Sequence, residues 1–165
     1  MNPLSQFPFR DRWTSTTASV LGMALLFVAI GMAVATLVAL VDGVDALALA
    51  TATGATALLG AVLFHVAAPG SRDIATIFSA VGTTWVVASV LGALPYLLAG
   101  TFATVGRPWS VVFADALFES VSGFSTSGST VFGAHNPIEA QGAGILLYRQ
   151  LTQWAGGMGI VVLVV

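Results

Sequence analysis

The 165-residue chain is 57% hydrophobic and 7% charged, and its formal net charge is −2. Soluble domains carry about 25% charged residues, so this composition excludes an ordinary soluble protein and predicts one that lies in lipid. The lack of cysteine in the sequence excludes a disulfide framework and a thiolate metal site.

Three long stretches without charge predict membrane-spanning helices at residues 15–41, 46–67 and 74–98. Each is at least as long as the about 20 residues that a helix needs to cross the hydrocarbon core. The first stretch exceeds the ~7–15 residues of a signal-peptide core, so we interpret it as a retained anchor. The Pro69-Gly70 pair is expected to end the second helix.

The distribution of arginine predicts the orientation of the chain. Arg10 and Arg12 precede the first span, Arg72 lies between the second and third spans, and Arg107 follows the third. Basic residues are enriched in cytoplasmic loops. Three arginines share one side if the N-terminus is cytoplasmic, so we predict that orientation.

The next segment, residues 109–122, reads "WSVVFADALFESVS". Its apolar residues recur at intervals of three and four, which predicts a helix. At about 1.5 Å per residue this helix is about 20 Å long, too short to cross a hydrocarbon core of ~30 Å. It also carries two acidic residues, Asp115 and Glu119.

A polar turn, "GFSTSGST" at residues 123–130, follows the short helix, and a fourth apolar span is predicted from Ile145 onward. Irregular backbone at membrane depth is tolerated only where it is buried in protein or lines a water-filled path. The order of elements therefore predicts an all-α membrane protein with a pore loop. We divide it into a two-helix hairpin (1–73) and one incomplete repeat (74–165), with an outer helix (74–98), a pore helix (109–122), a filter loop (123–130) and a truncated inner helix (from 145).

The turn has the composition that a cation filter needs. Carbonyl oxygens of an extended segment with small side chains can replace the hydration shell of an ion. Gly128 can adopt backbone angles closed to other residues, and the pore helix would direct the partial negative charge of its carbonyl end at the ion. Serine- and glycine-rich turns are more often ordinary loops, so the residues alone leave both interpretations open.

Two motifs resemble a known family. "FADALFESVSGFSTSGSTVF" at residues 113–132 and "ILLYRQLTQWAGGMGIVVL" at residues 145–163 are similar to the first pore repeat of the TrkH/KtrB potassium transporters, of the Trk/Ktr/HKT superfamily. The upstream spans resemble the N-terminal portion of that family. The chain departs from the family pattern T-T-T-G-A-T, which is S-T-S-G-S-T at residues 125–130, and from the family's four repeats, of which it has one.

The resemblance implies uptake of potassium across the bacterial cytoplasmic membrane. Carried over by position, the carbonyls of Thr126, Ser127 and Gly128, with Ser125 next to them, would form one quarter of the filter. The resemblance also implies a multi-pass protein without enzyme activity and without a cofactor other than the transported ion. Its implied partners are membrane lipid, a second copy in a homodimer and a cytosolic nucleotide-binding subunit of the TrkA type, with no nucleic acid.

Charged residues at membrane depth are costly and are usually paired or functional. We expect Glu119 to pair with Arg149 and to hold the filter loop against the inner helix; the alternative is that each faces an external vestibule separately. Asp115 would either attract cations at the pore mouth or, as we favour, bind backbone amides of the loop. Gly123, the first residue of the predicted loop, is assigned to structural support.

Two other functions compete with transport. The chain could be a non-conducting membrane fragment or scaffold, because one repeat is not a pore. A more remote alternative is an intramembrane serine protease, which requires Ser127 and His65 within hydrogen-bond reach. His65 and His135 lack the spacing of metal ligands, and the glycine-rich residues 156–159 are expected to allow close helix packing.

Overall fold

The computed structural model describes residues 8–67, 74–133 and 136–164. Within these ranges the secondary structure is helical, with one isolated bridge between Gly133 and Asn136, which confirms the predicted all-α class. A short 3-10 helix at Ile138–Ala140 precedes the last element. The α-helices are α1 (Pro8–Asp42), α2 (Ala46–Val66), α3 (Ile74–Gly92), α4 (Leu94–Leu98), α5 (Trp109–Phe124) and α6 (Ala143–Val164).

Three stretches of the described chain are long and apolar enough to cross a membrane, namely Thr16–Asp42, Ala46–Val66 and Ile74–Leu98. Large apolar side chains such as Ile30 and Leu58 remain exposed on their outer faces. Helices that are apolar on all sides are typical of a membrane span. The protein is therefore a multi-pass membrane protein.

The third predicted span is not one helix. It divides at Ala93 into α3 and α4, with Pro95 in the first turn of α4. Proline has no amide hydrogen to donate, and its ring clashes with the carbonyl four residues earlier, so a continuous helix is disrupted here. The Tyr148 hydroxyl donates a hydrogen bond of 2.8 Å to the Gly92 carbonyl beside this break, and thereby connects α3 to α6.

The hairpin of α1 and α2 packs closely through small residues. A Cβ atom placed at Gly22 would lie 2.8 Å from the carbonyl oxygen of Gly60, so only glycine fits there. The turn between the helices uses left-handed backbone at Gly43 (φ +76°) and Asp45 (φ +59°). Close approach of this kind is how helices associate in lipid, where apolar burial against water contributes little.

The hairpin also receives the start of α6. The Asp42 carboxylate accepts a hydrogen bond of 2.9 Å from the amide of Ala143, the first residue of α6. One residue later, a Cβ atom at Gly144 would lie 2.6 Å from the Cβ of Ala39. The hairpin and α6 therefore share one buried core, whose members are Met32, Ala35, Ala39, Leu49, Ala52, Ala93, Tyr96, Phe102, Val112, Ala116, Ile145 and Tyr148.

Two helix ends differ from the predicted ones. Gly123 and Phe124 belong to α5, so the irregular loop begins at Ser125 and not at Gly123. The inner helix begins at Ala143, two residues before the predicted start at Ile145. Both helix ends lie at tertiary contacts that local sequence does not reveal: Gly123 packs against Thr152, and the Ala143 amide donates to Asp42.

Some predictions fall on residues outside the described ranges. These are the helix-ending Pro69-Gly70 pair, Arg72 of the orientation argument, and His135. Arg10 and Arg12 lie on α1, but the structure does not describe their side chains. The cytoplasmic placement of the N-terminus stays a prediction.

Candidate functional site

The second half of α5 is held between α3 and α6 by small residues. The Ser120 hydroxyl donates a hydrogen bond of 2.7 Å to the Ser89 carbonyl on α3. On the other side, a Cβ atom at Gly123 would lie 3.0 Å from the Cβ of Thr152, and its nearest contact, the Thr152 hydroxyl oxygen, would be closer still. Gly123 supports the site because nothing larger than hydrogen fits between α5 and α6.

The end of α5 lies deep alongside α6. A Cβ atom at Gly156 would lie 2.8 Å from the carbonyl carbon of Phe124, the last residue of α5. Gly156 follows Ala143 by 13 residues, which is about 20 Å of helix at ~1.5 Å per residue. The close packing predicted for residues 156–159 is therefore present at Gly156.

After α5 the chain returns to the side from which it came. The Asn136 side chain donates a hydrogen bond of 2.9 Å to the Thr101 carbonyl in the segment before α5. Gln141 in turn donates to the Asn136 side-chain oxygen at 2.8 Å. Helix α5 and the loop that follows it thus form a re-entrant segment, which enters and leaves on the side where α6 begins.

The loop bends sharply as it leaves α5. The amides of Ser125, Thr126 and Ser127 donate to the carbonyls of Val121, Gly123 and Ser122, at 2.8, 3.0 and 3.2 Å. Two loop residues have left-handed backbone, Gly128 (φ +70°) and Thr126 (φ +58°). The expectation for Gly128 is confirmed. Thr126 was not foreseen, because a β-branched residue rarely adopts this conformation.

The carbonyl oxygens after this bend have no internal partner. Within the described residues, no hydrogen bond reaches the carbonyls of Ser125, Thr126, Ser127 or Gly128, and these four residues are exposed. Backbone polar groups at membrane depth must be satisfied, because no water is present in the hydrocarbon core to bind them. These carbonyls therefore need a polar partner and could not face lipid.

Glu119 binds the second part of the loop, residues 129–131, which we call the far limb; residues 125–127 form the near limb. It is 1% exposed and forms a buried ion pair with Arg149 of α6, which is 8% exposed. Its carboxylate also accepts hydrogen bonds from the Thr130 hydroxyl, at 3.0 and 3.2 Å, and from the Val131 amide, at 3.1 Å. The predicted pairing of Glu119 with Arg149 is confirmed, and the two groups do not face a vestibule separately.

Among the described residues, Asp115 makes no hydrogen bond to the loop, so the preference for that role was wrong. Its carboxylate forms an ion pair of 2.6 Å with Arg107, in the segment before α5. Asp115 precedes Glu119 by one helical turn, about 6 Å further from the loop at ~1.5 Å per residue. The loop amide at Val131 is bound by Glu119 instead.

Ser122 is a contact residue that the sequence interpretation did not single out. Its hydroxyl lies 2.5 Å from the Ser129 carbonyl oxygen and 3.0 Å from the Ser127 hydroxyl. A signal for it exists, because positions three apart on a helix share a face and Ser122 is three residues after Glu119. Thr130 has no comparable signal, since its position depends on how the loop folds.

The geometry required for a serine protease is not present in the described residues. The hydrogen-bond partner of the Ser127 hydroxyl is Ser122, and not His65. The His65 ring packs edge-on against Phe64, with ring centroids 5.9 Å apart. The same part of the chain holds no group of three His, Asp or Glu side chains that could bind a metal ion.

Fold and site together define a class: an all-α membrane protein with a re-entrant helix and an exposed row of unbonded carbonyls. The chain belongs to the TrkH family of cation transport proteins, whose family model matches residues 48–165. The family resemblance seen in the two motifs is thereby confirmed. No solved structure shows significant similarity to the chain.

Several curated relatives carry names from the same transport system. A Trk system potassium uptake protein TrkH from Halomonas elongata is 35% identical over 150 residues, covering 88% of this chain and 29% of the relative. TrkI from the same organism is 34% identical over 157 residues, covering 92% of the chain and 29% of the relative. TrkH from Escherichia coli K12 is 38% identical over 81 residues, covering 49% and 15%. The chain thus spans less than a third of the length of these relatives.

Proposed function

We propose that these residues form one of the four pore repeats of a potassium uptake protein. The carbonyl oxygens of residues 125–128 would contribute one quarter of the filter that strips and binds the ion. One observation carries the proposal: four successive carbonyls that no described residue binds lie at the end of a re-entrant helix, deep alongside α6. The names of the relatives, potassium uptake proteins, support the choice of ion.

The electrostatics of the segment favour a cation. Helix α5 ends at Phe124, so the partial negative charge of its carbonyl end lies at the start of the loop. The carboxylate beneath the loop does not add a free charge, because Glu119 is paired with Arg149. A cation at the loop would thus be bound by dipoles. This arrangement permits binding weak enough for the ion to leave again.

One repeat cannot enclose an ion. The other three repeats would lie in the part of such a transporter that these residues do not cover, consistent with the 29% of the Halomonas elongata relative that they match. The left-handed Thr126 and Gly128 would let the loop present its carbonyls toward a common axis, where four chain segments with small side chains converge.

We also propose the surroundings in which this repeat works. The protein would lie in the bacterial cytoplasmic membrane with its N-terminus in the cytoplasm, as the arginine distribution favours. Its partners would be lipid, a second copy and a cytosolic nucleotide-binding subunit of the TrkA type. It would act without catalysis and without a cofactor, since the ion is its cargo.

A matched pair of glycine substitutions tests the proposal. The complete reading frame that encodes these residues is expressed in a bacterium that lacks its own potassium uptake systems, and rubidium or potassium uptake is measured. Gly128→Asp places a carboxylate in the filter loop. Gly106→Asp makes the same change at another left-handed glycine (φ +83°) whose Cβ would meet open space.

We expect the unsubstituted protein and Gly106→Asp to restore uptake, and Gly128→Asp to abolish it at equal amounts in the membrane. Undiminished uptake by Gly128→Asp would refute the filter assignment. If the unsubstituted protein moves no potassium, the non-conducting scaffold replaces transport as the function.

A further inference from the structure

The Ser122 hydroxyl lies where the two limbs of the loop meet. Ser122 is in the last turn of α5 and is 4% exposed. Its oxygen is 2.5 Å from the Ser129 carbonyl oxygen, on the far limb, and 3.0 Å from the Ser127 hydroxyl, on the near limb. Its own carbonyl accepts the Ser127 amide at 3.2 Å. One residue thus contacts both limbs that flank Gly128.

Counting protons fixes the direction of both hydroxyl contacts. A serine hydroxyl has one hydrogen to donate, and a carbonyl oxygen can only accept. Ser122 therefore donates its hydrogen to the Ser129 carbonyl. The Ser127 hydroxyl must then donate its own hydrogen to Ser122. The lone pairs of the Ser127 oxygen consequently stay available on the exposed side of the loop, while its proton is directed inward.

This arrangement has a consequence for a cation at the loop. A hydroxyl proton that pointed outward from Ser127 would repel the cation, whereas one held by Ser122 does not. The bond to the Ser129 carbonyl also fixes the spacing of the two limbs, and so the spread of the carbonyls between them. Ser122 touches no ion itself, because it is buried beneath the loop.

We propose that Ser122 is a positioning residue that sets the ion preference of this repeat, by fixing the width of the loop and the direction of the Ser127 hydroxyl. The inference rests on the proposed transport function for its effect on ions. Its structural part, the connection of both limbs to α5, stands on the hydrogen bonds alone.

The neighbouring Ser120 provides a matched control. It lies on the same helix, is fully buried and donates one hydrogen bond, but its partner is the Ser89 carbonyl on α3 and not the loop. Ser120→Ala and Ser122→Ala therefore remove the same atom from similar surroundings. At position 127, Ser127→Ala removes the hydroxyl that donates to Ser122.

The first measurement is ion preference in cells. Rubidium uptake is measured with the complete reading frame, with increasing sodium as competitor, and is divided by the amount of protein in the membrane. We expect Ser127→Ala to change the rubidium-to-sodium preference about fivefold, which is the loss of about 1 kcal/mol typical of one hydrogen bond, and Ser122→Ala, which removes two, to change it at least as much. The Ser122→Ala/Ser127→Ala double variant should change it no further than Ser122→Ala alone. Ser120→Ala should leave the ratio unchanged.

The second measurement does not depend on transport. Amide hydrogen exchange of the purified protein is followed in peptides that cover residues 125–132. Ser122→Ala should accelerate exchange in these peptides about fivefold or more, and Ser120→Ala should not. If uptake is absent from the unsubstituted protein but exchange responds, the transport function fails and the positioning of the loop stands. If uptake is present and Ser122→Ala behaves like Ser120→Ala in both measurements, the inference is overturned and transport stands.

Discussion

Neutralising Glu119 tests whether the ion pair beneath the loop stabilises the fold. Glu119→Gln preserves the shape of the side chain and an acceptor for the Val131 amide, but it leaves Arg149 as a buried charge without a counter-charge. Breaking a buried ion pair by removing one partner costs about 3–5 kcal/mol. The other ion pair on α5 offers a control, since Arg107 and Asp115 are much more exposed. For such a pair Asp115→Asn should cost about 0–1 kcal/mol.

The assay is equilibrium unfolding of the purified protein in mixed micelles, with the free energy of unfolding compared among variants. We expect the loss for Glu119→Gln to exceed that for Asp115→Asn by about 2–5 kcal/mol. In Glu119→Gln/Arg149→Gln the loss should be smaller than the sum of the two single losses, because neither charge is left alone. Equal losses for Glu119→Gln and Asp115→Asn, or strict additivity in the double variant, would refute the reasoning.

Two further substitutions test packing and charge at other places. Gly156→Ala should destabilise the protein by about 1–3 kcal/mol, because its Cβ would collide with the Phe124 backbone. Gly54→Ala places its Cβ in open space and should be neutral or stabilising by up to about 1 kcal/mol. Equal thermal stability of the two variants would contradict this reasoning. Burial, and then the charge of Asp42, raise the pKa of Asp45, so its ionisation opposes folding and this cost disappears as the pH falls through the raised pKa. Asp45→Asn should therefore unfold at a higher temperature than the unsubstituted protein at neutral pH, with a difference that shrinks toward acid; a difference independent of pH would exclude the charge as its cause.

Sequence reasoning was most reliable where burying a charge in the membrane has a high free-energy cost. Charge-free length gave the three spans, and the expense of buried charge led to the pairing of Glu119 with Arg149. These predictions need only the positions of the charged residues along the chain and their expected depth in the membrane. They succeed because few alternatives are tolerated in lipid.

The features that were missed depend on which parts of the chain meet. Asp115 pairs with Arg107 and not with the loop, and α5 continues through Gly123, which packs against Thr152 of α6. The left-handed backbone of Thr126 runs against local propensity and is held by the fold around it. Neither composition nor spacing contains that information. Helix periodicity could have indicated that Ser122 shares a face with Glu119. It could not have indicated the two partners of Ser122, because they lie in the irregular loop.

The contact of Asp42 with the start of α6 has a consequence for biosynthesis. Chains are made from the N-terminus, and early segments fold before later ones emerge. Asp42 and Ala39, which contact the start of α6, are therefore inserted into the membrane before Ala143 and Gly144 leave the ribosome. The first hairpin is thus in place before the nascent inner helix reaches it, and errors in that hairpin should appear as misinserted chains.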